Sequence, residues 1–217
     1  MEFWLVVVLV LILSLAAFGI NTYLEQQRTS TIQSLASAWG FDYRDHPQAY
    51  IPDPVWQLKL FNKGRRRQLK NLIQGQRGNV AISIADYSFV TGSGKHRRTH
   101  AQTIAIIQSP HLTLPSFLLT PETMFHKIGG LFGYDDIDFD SRPTFSARYL
   151  LKGTDESSIR QCFQDGVLTF YERQEQVCSE GIGSILLYYK ARHKLEPNNW
   201  KNLMTTVLDA HEQFVQR

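Results

Sequence analysis

The chain opens with a long apolar run that contains no charged residue. This run, residues 3–20, would form a helix of about 27 Å, close to the thickness of a bilayer core. Trp4 lies at one end and Tyr23 just beyond the other, where amphipathic rings favour the lipid headgroups. We therefore predict that residues 1–22 form an N-terminal transmembrane anchor.

Two further questions concern this anchor. A cleavable signal peptide is the alternative, but only Met1 and Glu2 precede the apolar run and no basic residue does. Arg28 is the first basic residue after the run, so the positive-inside rule favours a cytoplasmic C-terminal domain. We expect a single-pass membrane protein with its domain in the cytoplasm.

Apolar residues at helical spacing follow the anchor and predict a linking amphipathic helix over residues 23–40. Its apolar positions are Ile32, Leu35, Ala36 and Trp39. Gly40 can end this helix in a left-handed conformation. A short second helix is expected to start at Asp53-Pro54 and to end at Gly64. We assign residues 41–217 to a single domain.

The middle of the chain has the alternation of β-strands. Residues 79–108 predict a long hairpin whose turn contains Gly92-Ser93-Gly94-Lys95. Within its first strand the apolar positions change faces between Ile84 and Tyr87, which predicts a bulge or bend.

Three further strands and three helices are expected after the hairpin. The strands lie between Pro115 and Pro121 at a sheet edge, from Phe145 to Leu151, and from Ile185 to Tyr189. The helices are expected after Thr154, around residues 167–171, and from about residue 199 to Phe214. Because strands dominate the middle and helices the ends, we predict an α+β fold: the transmembrane helix, then one domain with a mainly antiparallel sheet and flanking helices.

Composition limits the class of protein. The chain is 43% apolar and 20% charged, which excludes disordered and low-complexity classes. Its two cysteines, Cys162 and Cys178, exclude a disulfide framework, and their spacing leaves open whether they pair.

Charge is distributed unevenly along the chain. Between residues 59 and 98, ten basic side chains face a single acidic one, Asp86, and give this segment a formal charge of +9. Since the whole chain carries +3, the remainder carries −6. The segment suits an anionic partner, although its basic residues could equally pair with acidic residues elsewhere in the protein.

We predict a non-enzymatic binding or interaction domain with a basic hairpin face. The candidate binding residues are Lys95, Arg97, Arg98, Arg65, Arg66 and Arg67. The expected partners are the membrane itself, through residues 3–20, and either anionic lipid headgroups or an acidic protein. Nucleic acid is not expected, because no nucleic-acid-reading motif is present and the net charge is modest.

The alternative is a membrane-anchored, hydrolase-like enzyme that uses the carboxylates from Asp136 to Asp140 with His126 or Arg142. A calcium loop over these aspartates is not expected, because the glycine and the final glutamate of such a loop are missing. His96 and His100 belong to a turn and its exit, so their spacing does not predict a zinc site. We expect no cofactor and no metal.

Several local motifs resemble those of a family of uncharacterised bacterial proteins with an N-terminal membrane anchor and one α+β domain. These motifs are Asp86-Tyr87, the Gly92–Lys95 turn, Gln102-Thr103 and the stretch from Leu114 to Glu122. The resemblance covers most of residues 35–217. It implies the same architecture, and it implies no activity, cofactor or catalytic residue.

Overall fold

The computed structural model describes residues 2–44, 47–124 and 136–215, and one long helix begins the chain. Helix α1 extends from Glu2 to Trp39 without a break at residue 22. Gly40 follows with φ of +65°, and the Phe41 N–H donates to the Ala36 carbonyl at 2.8 Å. This left-handed cap was predicted, because only glycine adopts it without steric cost.

The domain is built on an eight-stranded sheet in which all paired strands are antiparallel. The strands are β1 (Asp42–Arg44), β2 (Arg65–Arg77), β3 (Val80–Thr91), β4 (Arg98–Gln108), β5 (Leu114–Pro121), β6 (Tyr149–Gly153), β7 (Val177–Gly183) and β8 (Ile185–Lys190). Their order across the sheet is β1-β2-β3-β4-β8-β7-β5-β6. The predicted α+β class, with a long apolar helix and an antiparallel sheet, is confirmed.

Both faces of the sheet are covered. In the described part of the chain, four shorter helices follow the first: α2 (Pro143–Ser146), α3 (Glu156–Cys162), α4 (Asp165–Glu172) and α5 (Trp200–Val215). Together with the C-terminal half of α1 they bury one face, where Ile84 and Ile107 belong to the core. Three 3-10 helices between Pro47 and Asn62 cover the other face, where Tyr87 and Tyr189 are buried.

Several strand predictions need correction. The segment between Pro115 and Pro121 is not an edge strand, since β5 pairs with β6 on one side and with β7 on the other. A register shift after Leu114 accommodates Pro115, which cannot donate to a ladder. The strand expected from Phe145 begins only at Tyr149, because Pro143 starts the short helix α2.

The bulge was expected in the wrong strand. β3 pairs with β4 residue by residue, and the change of faces at Tyr87 reflects burial of both sides of the strand. The register shifts lie in β2, where Arg66 and Asn71 have positive φ angles. The predicted helix after Asp53 is instead two 3-10 helices, Asp53–Gln57 and Lys59–Asn62.

Of the helices in the C-terminal half, α3, α4 and α5 were predicted, whereas α2 replaces part of a predicted strand. α3 is capped by the Asp155 side chain rather than by Thr154, and α5 begins one residue after the expected Asn199. Cys162 and Cys178 are both buried and no disulfide joins them, which answers the open question of their pairing. Burial raises the pKa of Cys178 to about 12, which keeps this thiol protonated and unreactive.

The N-terminal part of α1 is long and apolar enough to cross a membrane. Its most apolar window of 18 residues has a mean hydropathy of 2.9, and none of that window is buried against the domain. A signal sequence would have the same length and composition.

Candidate functional site

A buried ion pair fastens α1 to the sheet. Arg28 Nε and Nη2 each donate to an oxygen of Asp86 at 2.8 Å, and Nη2 also donates to the Leu195 carbonyl. The two side chains are only 10% and 9% exposed. Asn71 and Thr103 also donate to Asp86, so both carboxylate oxygens are satisfied. The charge on which the expected cytoplasmic orientation rests is therefore neutralised within the fold.

α1 runs along β2 in a defined direction. The Trp39 carbonyl accepts from Arg77 at the far end of β2, and Thr29 donates to Asn71 near the middle of the strand. Lys70 then shares a groove with Thr22. Moving from Trp39 toward the apolar segment thus means moving along β2 toward Arg65.

The same direction leads to the tip of the β3–β4 hairpin. The five residues of β3 beyond Asp86 reach Thr91 over about 17 Å. A helix alongside covers that distance in about eleven residues, which leads from Arg28 into the apolar segment of α1. The hairpin tip and the apolar segment therefore leave the domain on the same side.

The structure gathers the six predicted basic residues at this end of the sheet. Arg65 lies opposite Val90, and Thr91 lies opposite Arg98, so the start of β2 adjoins the hairpin tip. All six side chains are exposed. We call this group the basic end; it comprises Arg65, Arg66, Arg67, Lys95, Arg97 and Arg98.

The contacts of the basic end do not support pairing with acidic residues. Among the described residues, none of the ion pairs involves any of its six members. Arg67 differs from the others, because its guanidinium donates to the carbonyls of Asn62, Lys63 and Gly64 at 3.0–3.2 Å. Arg67 thus also holds the turn that leads into β2.

A cavity of about 480 Å³ opens beside the basic end, on the sheet face opposite α1. We call it the end cavity. Its apolar wall is formed by Leu60, Phe89, Met124, Tyr189 and Ala191. Its polar lining includes Lys59, Lys63, Thr91, His100, Gln102 and Arg192.

The polar lining of the end cavity is held by a short hydrogen-bond chain. Arg192 Nε donates to His100 Nδ1 at 3.0 Å, so the ring proton resides on Nε2, which lies 2.7 Å from Thr91 Oγ1. Burial, and then the charge of Arg192, lowers the pKa of His100. Gln102 accepts from the Arg192 backbone N–H at 3.1 Å, but its own Nε2 is buried without a partner among the described residues.

A buried carboxylate lies behind this cavity. Glu180 accepts from the backbone N–H groups of Lys59 and Leu60, and Tyr189 donates to it at 3.4 Å. Burial raises the pKa of Glu180, while the charge of Lys63 opposes that rise. Glu180 thus fixes the 3-10 segment of Lys59 and Leu60 that forms one wall.

The carboxylates of the enzyme alternative do not converge in the described part of the chain. Asp136 accepts from the Leu151 N–H at 2.8 Å, and burial raises the pKa of Asp136. Asp138 and Asp140 are exposed and lie in an irregular segment and a turn rather than in a strand, while Arg142 binds Glu172. His126 lies outside the described residues. No group of three potential metal-ligating side chains occurs within the described ranges.

Sequence reasoning missed the end cavity. Its polar residues come from the 3-10 segment and turn before β2, from the end of β3, from β4 and from the segment after β8, and only the order β3-β4-β8 brings them together. Their spacing matches no local motif. An isolated glutamate in the apolar sequence of β7, Glu180, was the one available signal.

No protein-family model and no curated protein matches the sequence. Among solved structures, the chain is similar to the crystal structure of the mycobacterial trehalose monomycolate transport factor A, TtfA, with a TM-score of 0.58. The two sequences are 14% identical, and the match covers 85% of this chain and 93% of the other. The bacterial origin of TtfA agrees with the bacterial family that the sequence resembles. The chain thus shares its fold with a bacterial transport factor.

Proposed function

We propose that the chain is a single-pass membrane protein whose domain is a non-enzymatic binding module. In this proposal, the basic end contacts the anionic headgroups of the membrane that α1 crosses. The observation that carries the proposal is that the basic end and the apolar segment of α1 leave the domain on the same side. A cytoplasmic domain facing an anionic leaflet suits this arrangement.

The charges of the basic end support this function. Its side chains are exposed and form no ion pairs among the described residues, so all except Arg67, which donates to backbone carbonyls, can approach phosphates without first losing a partner. Each Lys or Arg held near an anionic surface contributes about 1 kcal/mol. TtfA is a transport factor, and a binding or interaction role for this chain is consistent with that neighbour.

Co-sedimentation with vesicles tests the proposal. A fragment of residues 24–217 retains Arg28 and its ion pair but lacks the apolar run. We expect it to bind vesicles that contain phosphatidylglycerol at low salt, and not vesicles of phosphatidylcholine. High salt should release it, because screening weakens contacts between exposed charges.

A triple variant identifies the surface. Replacing Lys95, Arg97 and Arg98 by alanine should weaken binding to anionic vesicles about 100-fold. The matched control removes three exposed charges in or directly after the helices, in the variant Arg160→Ala, Arg173→Ala, Lys201→Ala, and should bind as the wild type does. Equal binding by both variants, or no binding to either vesicle by the wild type, would contradict the proposal.

A further inference from the structure

We infer that the end cavity binds one anionic amphiphile, with its phosphate or carboxylate at Lys63 and Arg192 and its acyl chain against the apolar wall. This binding site is distinct from the basic end, which contacts the membrane surface as a whole. Four observations carry the inference: the size of the cavity, its division into polar and apolar parts, its charge, and an unpaired donor.

The cavity has the size and lining of a small-molecule site. Its volume of about 480 Å³ lies within the range of roughly 300–1,000 Å³ that such pockets occupy. Phe89, Leu60 and Tyr189 supply a wall that favours an acyl chain. Phe89 is held in place by stacking on His100, with ring centroids 4.8 Å apart.

The head of the ligand must carry negative charge. None of the described residues that line the end cavity is acidic, whereas Lys63 and Arg192 are both basic. The Arg192 side chain is positioned by its hydrogen bond to Nδ1 of His100. The Nε2–H of His100 in turn donates to the Thr91 hydroxyl. The guanidinium is thus preorganised for an oxyanion.

The unpaired donor gives the inference a specific atom. Gln102 is 1% exposed, and its Oε1 is already occupied by the Arg192 N–H. Its Nε2 has no partner among the described residues although the side chain lines the cavity. A buried donor of this kind costs free energy until it meets an acceptor, and a ligand oxygen is such an acceptor.

Glu180 limits where the head can bind. It already accepts from the N–H groups of Lys59 and Leu60, so these backbone donors are not available to a ligand. The head therefore belongs on the side of Lys63, Gln102 and Arg192, and the acyl chain on the side of Leu60 and Phe89.

Native mass spectrometry of the full chain, released from micelles of a neutral detergent, tests this site. The probe is lysophosphatidic acid with one 16-carbon chain. Lysophosphatidylcholine with the same chain and inorganic phosphate are the two comparison ligands. We expect a 1:1 complex with lysophosphatidic acid and at least tenfold weaker binding of both comparison ligands.

Variants assign the complex to the cavity. Lys63→Ala and the cavity-filling Ala191→Trp should each weaken the complex about tenfold. Lys63→Arg, which keeps the charge, should retain it. Lys70→Ala, an exposed lysine on the strand that α1 covers, is the matched control and should bind as the wild type does.

Each other outcome overturns the inference. Equal binding of the two lysolipids would exclude recognition of the anionic head, and equal binding of inorganic phosphate would exclude recognition of the chain. Unchanged binding in both Lys63→Ala and Ala191→Trp would place the ligand elsewhere. The triple hairpin variant separates the two proposals, since it should lose vesicle binding and keep the complex with lysophosphatidic acid.

Discussion

Asp86 is the residue on which the attachment of α1 depends. It accepts hydrogen bonds from Arg28, Asn71 and Thr103, and Lys194 lies 3.9 Å away. Desolvating a carboxylate is costly, and here the cost is offset by charged and neutral donors arranged around both oxygens. Removing Arg28 would leave this negative charge buried with much weaker compensation.

We expect Arg28→Met to lower the free energy of unfolding by about 3–5 kcal/mol. Urea unfolding of the 24–217 fragment, followed by circular dichroism, measures the change. Arg160→Met is the control, because it breaks an exposed pair with Glu156 that contributes about 1 kcal/mol or less. Similar losses in the two variants would show that the buried pair is not what holds α1.

His100 should make stability sensitive to acid. Burial lowers its pKa in the folded protein, whereas in the unfolded chain it protonates near its ordinary value of about 6.5. Below that pH the unfolded chain binds the proton more readily, so the free energy of unfolding falls as the pH decreases from 7 to 5. Protonation of Nδ1 would also break the bond from Arg192.

The variant His100→Gln should therefore lose less stability between pH 7 and pH 5 than the wild type. His211, whose pKa burial also lowers, remains in both proteins and accounts for part of the loss that is left. His96→Gln, at an exposed position of the hairpin turn, should behave as the wild type does. An unchanged pH dependence in His100→Gln would refute the assignment.

At the scale of elements, strands in which apolar and polar residues alternate regularly could be predicted from the sequence. Strands in which that alternation is interrupted could not. β3, β4 and β8 keep an apolar pattern and were recognised. β2 begins with three arginines and contains two register shifts, which break the alternation. β7 was missed because Glu180 and two glycines interrupt its apolar sequence. The buried Glu180 carboxylate accepts from Lys59, Leu60 and Tyr189.

The candidate site also has one part that the sequence predicted, the basic end, and one part that it did not, the end cavity. All six members of the basic end lie within two short, strongly basic stretches of sequence, so reading along the chain found them. Only the positive φ of Arg66 was not indicated by any sequence pattern. The end cavity depends on Lys63, His100 and Arg192, which are far apart in sequence and meet only through strand pairing.

The turn before β2 offers a test of how tightly these elements pack. Gly64 has a φ of +59°, and a Cβ added there would overlap the Val90 carbonyl of β3. Gly78 has nearly the same φ, +58°, with nothing within 4 Å of an added Cβ. The two glycines therefore share the backbone requirement and differ in the space around them.

We expect Gly78→Ala to cost about 1–2 kcal/mol, the price of a left-handed alanine. Gly64→Ala should cost at least about 1–3 kcal/mol more, because β2 and β3 must separate locally to admit the methyl group. Chemical unfolding of both variants measures the difference. Equal costs would mean that the start of β2 can shift freely.

At the scale of the whole molecule, the proposed function requires α1 to set the distance between the domain and the bilayer. Inserting seven alanines between Ile20 and Asn21 adds nearly two helical turns and would move the domain about 10 Å outward. That displacement is close to one screening length at an ionic strength of about 0.1 M. The contact between the basic end and anionic headgroups should then be largely lost.

Energy transfer from a label at the hairpin tip to an acceptor dye in the bilayer measures this distance. The label is attached in the variant Lys95→Cys, with the full chain in nanodiscs; Cys162 and Cys178 are buried and should not react. We expect less transfer in the variant with the insertion. Unchanged energy transfer would mean that the length of α1 does not determine the distance between the domain and the bilayer.

The continuity of α1 from Glu2 to Trp39, together with its attachment through Arg28, also determines which encounters are possible. A flexible tether would let the domain move through a hemisphere around its anchor. It would then reach more distant ligands, but its effective concentration near any one of them would be lower. In the membrane-anchored arrangement proposed above, a clamped helix gives almost no reach, so ligands that lie in the plane of the membrane are met at high local concentration while others must come to the domain. The protein would thus discriminate between ligands by their height above the bilayer as well as by their chemistry.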